Sequence, residues 1–314
     1  MKLLTPMGRK QRVETVRFSP NAELLLSAGN GSWLDVWSLD TATAVSRHFE
    51  TTSSYAWVIN AAFVANGTAV IATCGVDGLK CHAIVPESPL RTASRVAQGS
   101  LWGLAITPDE HRIVTSTGCL FVDSPGKRGY EGWLRSENGE YRSDWFVERR
   151  GIGPPTFTPD GEHFVATETT EIDGRSVVTV VRREANTGQR LDGYPYPDTT
   201  RAGLLFSPTG ELLVARSQMR LLIWTSGELS AAPKKLLNSN RKHFTDFAFH
   251  PSGSYLAATS NDATVKLYDT TTWEVARTFT WDIGRMRSVA FSPDGTLAAA
   301  GSDTGKVVVW DVDV

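Results

Sequence analysis

One short phrase recurs along this chain and constrains its fold more than any other feature: an apolar residue, a small polar residue, then Pro and a turn. It reads FSPNA from Phe18, FVANG from Phe63, ITPDE from Ile106 and FTPDG from Phe157. It returns as FSPTG from Phe206, FHPSG from Phe249 and FSPDG from Phe291. The seven anchors stand 45, 43, 51, 49, 43 and 42 residues apart. Repetition at such a period means one supersecondary unit used many times, each copy burying its apolar face only against its neighbours.

The unit is legible in physical terms. Pro presets φ for a turn, and Asn, Asp or Gly tolerates the backbone that follows, so each copy ends one strand and opens a hairpin. A short apolar strand precedes the turn (VRF, FAF, VAF), and a strand of small residues follows it (ELLLSAG, TAVIATCG, SYLAATS, TLAAAGS). Small side chains suit strands that converge on a crowded axis. A third strand then ends in an aromatic, Trp37, Trp224, Tyr268 or Trp310, at 19, 18, 19 and 19 residues from its anchor. Several short strands in a period of about 40–45 residues are the signature of a β-propeller blade. The expected fold is therefore all-β: a seven-bladed β-propeller of four-stranded antiparallel blades, occupying residues 1–314 as one domain. The last blade stops after its third strand, while MKLLT precedes the first. Lys2–Thr5 is thus expected to pair beside Val307–Trp310, closing the ring and leaving no open edge.

Tyr268-Asp269 and Trp310-Asp311, at the ends of SNDATVKLYD and GSDTGKVVVWD, resemble the dipeptide and third-strand consensus of the WD-repeat (WD40) family. The resemblance covers essentially the whole chain and is weakest between residues 118 and 200. It implies the same ring closure and a scaffold role, with peptides or partner proteins bound on the face where connections enter the first strands. One family feature is missing. A Gly-His pair usually lies nine or ten residues before the anchor, its His bonded to an Asp in the turn between the second and third strands. Here the residues nine before each anchor are Arg9, Ser54, Ala97, Glu148, Pro197, Asn240 and Asp282. Asp77 and Asp262 hold the turn position without an imidazole partner, so that network is absent or rebuilt. Blades 3 and 4 are irregular: a longer connection at Val122–Glu131 precedes a hairpin at Glu137–Glu140, and TTEIDGRSVVTV lengthens a turn. Such insertions are where function sits, or what neutral drift leaves.

Composition removes several functional classes. A net charge of −2 and a pI of 6.3 give no global field for nucleic acid or membranes. Cys74, Cys81 and Cys119 form neither a disulfide framework nor a CxxC pair, and are expected as buried small residues in a reducing compartment. MKLLTPMGRK lacks the apolar run of about 7–15 residues that a signal peptide needs. No stretch approaches the roughly 18 apolar residues of a membrane span. The expectation is a cytoplasmic monomer without membrane contact. Six histidines (His48, His82, His111, His163, His243, His250) show no HExxH spacing, and there is no GxSxG elbow or Walker loop. His111, His163 and His250 fall at or just past the repeated turn, as surface residues. No catalytic residue, metal ligand or cofactor is assigned, and the chain is expected not to be an enzyme. An enzyme would have to use carboxylates that converge across blades. Trp33, Trp37, Trp224 and Trp310 belong to third strands and are expected in the cores between blades.

The connections entering the first strands supply the candidate site. In order they read GRKQRVE, SSYAWVIN, QGSLWGL, ERRGIG, PDTTRAG, NRKHFTD and WDIGRMRS. Tyr55, Trp57 and Trp102 form an aromatic patch, and Arg149, Arg201, Arg241, Lys242, Arg285 and Arg287 a basic rim. Arg9, Lys10, Arg12 and Arg150 add to it, against fewer acids: Glu14, Glu148, Asp198, Asp246 and Asp282. Arg and Trp give large or bidentate contacts and are enriched at binding hot spots. The expected partner is an acidic or phosphorylated peptide or protein held by charge-assisted hydrogen bonds. Single-stranded nucleic acid, stacked on the aromatics, is the alternative for the same surface. The plainest alternative is that these are charged, solvated turn residues.

Overall fold

Each copy of the phrase closes a β-hairpin in the same way: the second strand begins six residues after the anchor in all seven, from Leu24 after Phe18 to Leu297 after Phe291. The small polar residue fastens the turn from both sides. Ser19 Oγ donates to Asn21 Oδ1 at 2.7 Å and accepts from the Leu24 N–H at 2.9 Å. Ser292 repeats this with Asp294 and Leu297 at 2.5 and 2.9 Å. The computed structural model from which these contacts come describes residues 1–5, 11–29, 33–49, 58–74, 78–84, 100–118, 128–137, 139–196 and 203–313.

Seven antiparallel sheets form the ring. Blade 1 is typical, with strands Val13–Phe18, Leu24–Gly29, Trp33–Ser38 and Thr43–Phe49 in sequential order. Six sheets have four strands. Blade 2 has three among the described residues (Val58–Val64, Ala69–Cys74, Gly78–Ala83), and segment 85–99, where a fourth is expected, lies outside them. The last sheet completes itself with the start of the chain: Lys2–Leu4 pairs antiparallel with Val307–Asp311, in the register Lys2↔Val309, Leu3↔Val308, Leu4↔Val307. The expected closure is thereby observed.

Apolar side chains collect in seven clusters, one at each junction between neighbouring blades. The cluster at the closure joins Leu4, Val307 and Val309 to Val13, Val16, Trp33 and Trp37 of blade 1. Trp224 and Trp310 are buried at other junctions, as expected for third-strand tryptophans. Non-directional burial of apolar area, repeated around a ring, thus holds the blades.

Three expectations need adjustment. In blade 4 the inserted residues lengthen the strands, not the turn. His163–Ile172 and Arg175–Glu184 run ten residues each and are joined by Asp173-Gly174 alone. Both turn residues have positive φ (51° and 72°), the geometry that a two-residue hairpin with the native twist requires. In blade 3 the third strand starts at Gly129, inside the expected connection, and residues 119–127 lie outside the described set; the hairpin at Glu137–Glu140 is present. His250 is more than a surface residue, since its ring touches Gly295 O at 3.1 Å in the next blade's turn.

The Asp network is rebuilt in blade 6. Asp262 accepts from the Asn240 amide, where the family places His, and from Thr264 Oγ1 at 2.6 Å, with Lys266 Nζ at 3.6 Å. Asp77 lies outside the described residues. No helix among the described residues is long and apolar enough to cross a membrane.

Candidate functional site

The first strands line the central channel, and a repeated irregularity marks them. In blades 1, 2, 3, 6 and 7 the pairing of first and second strands slips by one residue at Glu14, Ile59, Trp102, Thr245 and Arg287. Each lies four residues before its anchor. A β-bulge re-aims the residue it inserts, so this ring of positions is set apart from the regular in–out alternation. Two members meet across the junction of the last and first blades: Arg287 Nη2 lies 3.3 and 3.4 Å from the Glu14 carboxylate oxygens.

Within the ring runs a channel of about 1000 Å³ with two unlike walls. Blades 2, 3 and 4 contribute apolar groups, among them Val58, Leu104, Pro155 and Phe157. Blades 1, 5, 6 and 7 contribute every charged group of the lining, Arg12, Glu14, Arg17, Arg216, Asp246 and Arg287, alongside apolar ones such as Leu205, Phe247 and Val289. Register shows how unusual these charges are. One residue before the anchor the other blades carry Ala62, Ala105, Thr156, Leu205, Ala248 and Ala290, where blade 1 has Arg17. Ten residues after it they carry Ala28, Thr73, Ser116, Thr167, Thr259 and Gly301, where blade 5 has Arg216.

The charges are only partly matched by protein partners. Asp246 Oδ2 accepts from the Val289 N–H at 3.0 Å, and burial pushes its carboxyl above the usual range against the opposing influence of Arg17, that N–H and Arg216. Burial likewise draws the Arg216 guanidinium below its usual value, with Asp246 acting in the other direction. Arg216 donates from Nη1 to Phe244 O at 3.2 Å, Arg17 from Nη1 to Val16 O at 2.8 Å. Arg287 Nε is buried without a hydrogen-bond partner among the described residues.

Two segments, 233–269 and 274–311, match the model of the WD domain, G-beta repeat. Each runs from the outer strand of one blade through the third strand of the next, ending at Asp269 and Asp311 of the aromatic–Asp pairs. The chain is a seven-bladed β-propeller that carries two WD repeats. No curated protein matches it at a significant level. WD-repeat propellers are typically protein-interaction scaffolds, and generally non-catalytic ones.

Among the described residues, several of the sequence-derived site residues lie in the connections that lead into first strands, a side we call the upper face. Four of them have exposed side chains: Arg149, Arg241, Lys242 and Arg285. Their backbones are fixed by hydrogen bonds. Arg241 N–H donates to Asn238 O at 2.9 Å, Lys242 N–H to Asn240 Oδ1 at 3.0 Å and Arg285 N–H to Asp303 Oδ1 at 2.9 Å. Arg149 N–H donates to Arg128 O at 2.8 Å, and its guanidinium approaches Glu168 at 3.7 Å. Arg287 differs from these, being partly buried and paired with Glu14. Tyr55, Trp57 and Arg201 lie outside the described residues, as does the side chain of Trp102.

Sequence reasoning did not select Arg17 or Arg216 and counted Asp246 only as an acid of the rim. The signal was present in the alignment of the seven copies by their anchors, where ELLVARS alone puts Arg ten residues past the anchor. Asp160, Glu162 and His163 bring ligand atoms within 4.8 Å of one another, but Asp160 Oδ1 is already engaged by Thr158 Oγ1 at 2.5 Å and the Glu162 N–H at 3.0 Å. That arrangement fastens the blade 4 turn.

Proposed function

We propose that the chain is a non-catalytic binding platform whose upper face takes an acidic or phosphorylated segment of a partner protein. The observation that carries this reading is the set of exposed cations Arg149, Arg150, Arg241, Lys242 and Arg285 on hydrogen-bonded connections of three blades. Pre-positioned backbones lower the ordering cost of binding, while guanidinium groups offer bidentate bonds to carboxylate or phosphate. A rigid scaffold with function on its connecting segments is the general arrangement for such sites.

The test is a peptide array of matched acidic, phosphoserine-containing and neutral sequences, probed with wild type and with the variant Arg241→Glu, Lys242→Glu, Arg285→Glu. Retention of acidic or phosphorylated peptides by wild type, lost in the variant and weakened by salt, supports the reading. Equal retention by both proteins overturns the choice of face. A single-stranded oligonucleotide bound with a steep salt slope, and no peptide, would assign the surface to nucleic acid.

A further inference from the structure

We infer that the central channel is a binding site for a small amphiphilic anion, a molecule with one carboxylate-like head and an apolar body. The argument rests on position. Charges on axis-facing residues are costly in a ring of packed sheets, and they are tolerated only where something pairs them. Here Arg17, Arg216 and Arg287 fall in the sector of the ring formed by blades 5, 6, 7 and 1, and with Arg12 they line the channel against two acids among the described residues, Glu14 and Asp246. Glu14 is engaged with Arg287, and Asp246 is shared between a backbone N–H, Arg17 and Arg216. The sector therefore keeps an excess of guanidinium donors aimed at the channel.

The facing wall argues for the rest of the ligand. Val58, Leu104, Pro155 and Phe157 offer apolar contact and no charge, across a space of about 1000 Å³. That is at the upper end of the range of about 300–1,000 Å³ for small-molecule pockets. A head group at the arginines with a body against blades 2 to 4 satisfies both walls at once. A purely polar anion would leave the apolar wall wet, and a neutral lipid would leave the arginines unmatched. The site lies inside the ring and does not depend on the upper-face reading: the charge-reversal variant above retains every residue named here.

Calorimetric titration with decanoate, decanol and acetate tests the inference on the full chain. Decanoate is expected to saturate at one molecule per chain, with decanol and acetate weaker by at least about tenfold. Arg216→Met should weaken decanoate by at least about tenfold, the worth of a charge-assisted hydrogen bond. Because Arg216 also balances Asp246, that substitution can impair folding. Arg17→Gln is the second variant, since the only hydrogen bond Arg17 makes among the described residues is to the adjacent carbonyl, and the same weakening is expected. No saturable decanoate binding by the folded wild type overturns the inference. So does decanol or acetate binding as tightly as decanoate, or decanoate binding unchanged in a folded arginine variant.

Discussion

The Arg183 guanidinium grips the Glu168 carboxylate with two bonds, Nε to Oε1 at 2.6 Å and Nη2 to Oε2 at 3.0 Å, and both side chains are buried. Arg183 also donates from Nη1 to Gly188 O at 2.6 Å and lies over the Tyr130 ring of blade 3, 5.8 Å from its centroid. A desolvated ion pair inside blade 4 thus meets blade 3 through the Arg183–Tyr130 contact. Removing one partner strands a buried charge, so Glu168→Gln should cost about 3–5 kcal/mol in chemical unfolding. The double variant Glu168→Leu, Arg183→Met should recover much of that loss, because the pair's own net stabilisation is small once desolvation is counted. A double-mutant cycle with no recovery would show that Arg183 acts mainly through Gly188 and Tyr130.

Asp246 gives the channel a definite pH dependence. Its carboxyl is raised in the folded state, so its contribution to stability is fully present below the unfolded value of about 3.9 and is lost as pH rises through the folded value. Asp246→Asn removes the ionisation. The variant should therefore gain stability relative to wild type between pH 4 and pH 7, measured by urea unfolding at both. A stability difference that stays constant, or moves the other way, would mean that Arg17 and Arg216 outweigh burial at this carboxylate.

The ring was legible in the sequence because its cause is local and repeated. Phe18, Phe63 and their five counterparts each precede a turn fixed by short-range chemistry, and seven copies at similar spacing leave little topological choice. The closing strand was legible for the same reason, through pairing left unmet in the last blade. The channel was not, because Arg17, Arg216 and Asp246 come from blades 1, 5 and 6 and converge only when the ring closes. Nor was the Glu168–Arg183 pair, whose partners stand in a hairpin that reads as an insertion. Arg287 looked like a rim residue because its acid, Glu14, is 273 positions away.

Comparison of the blades also exposes a correctable defect. Trp37 Nε1 donates to Ser27 Oγ at 2.8 Å, and Trp133 Nε1 to Thr115 Oγ1 at 3.0 Å. In each, the hydroxyl sits two residues along the second strand from the tryptophan's cross-strand neighbour. Trp310 is opposite Ala298, so its equivalent is Ala300, and Trp310 Nε1 is buried without a hydrogen-bond partner among the described residues. Ala300→Ser should supply the missing acceptor and stabilise the protein by about 0.5–1.5 kcal/mol. The reciprocal Ser27→Ala should destabilise it by about 1–3 kcal/mol by orphaning Trp37. Thermal melts of the two variants moving in the same direction would refute the equivalence.

The closing strand should matter far beyond its length. Lys2–Leu4 covers the edge of Val307–Asp311, and the Lys2 ammonium reaches the carbonyls of Leu39 and Asp40 in blade 1. Leu4 is buried among Val307, Val309 and Trp37, so Leu4→Ala removes apolar contact from the cluster that joins the ring's two ends. A cost of about 2–5 kcal/mol is expected, as for leucine truncation in a packed core. Deleting residues 1–5 should cost more and also expose a Val-rich strand edge, a template for association between chains. Melting and light scattering separate the two effects: the point variant should lose stability while staying monodisperse, whereas the deletion should do both. A deletion that melted within a degree or two of the full chain would mean the ring does not draw its stability from this closure.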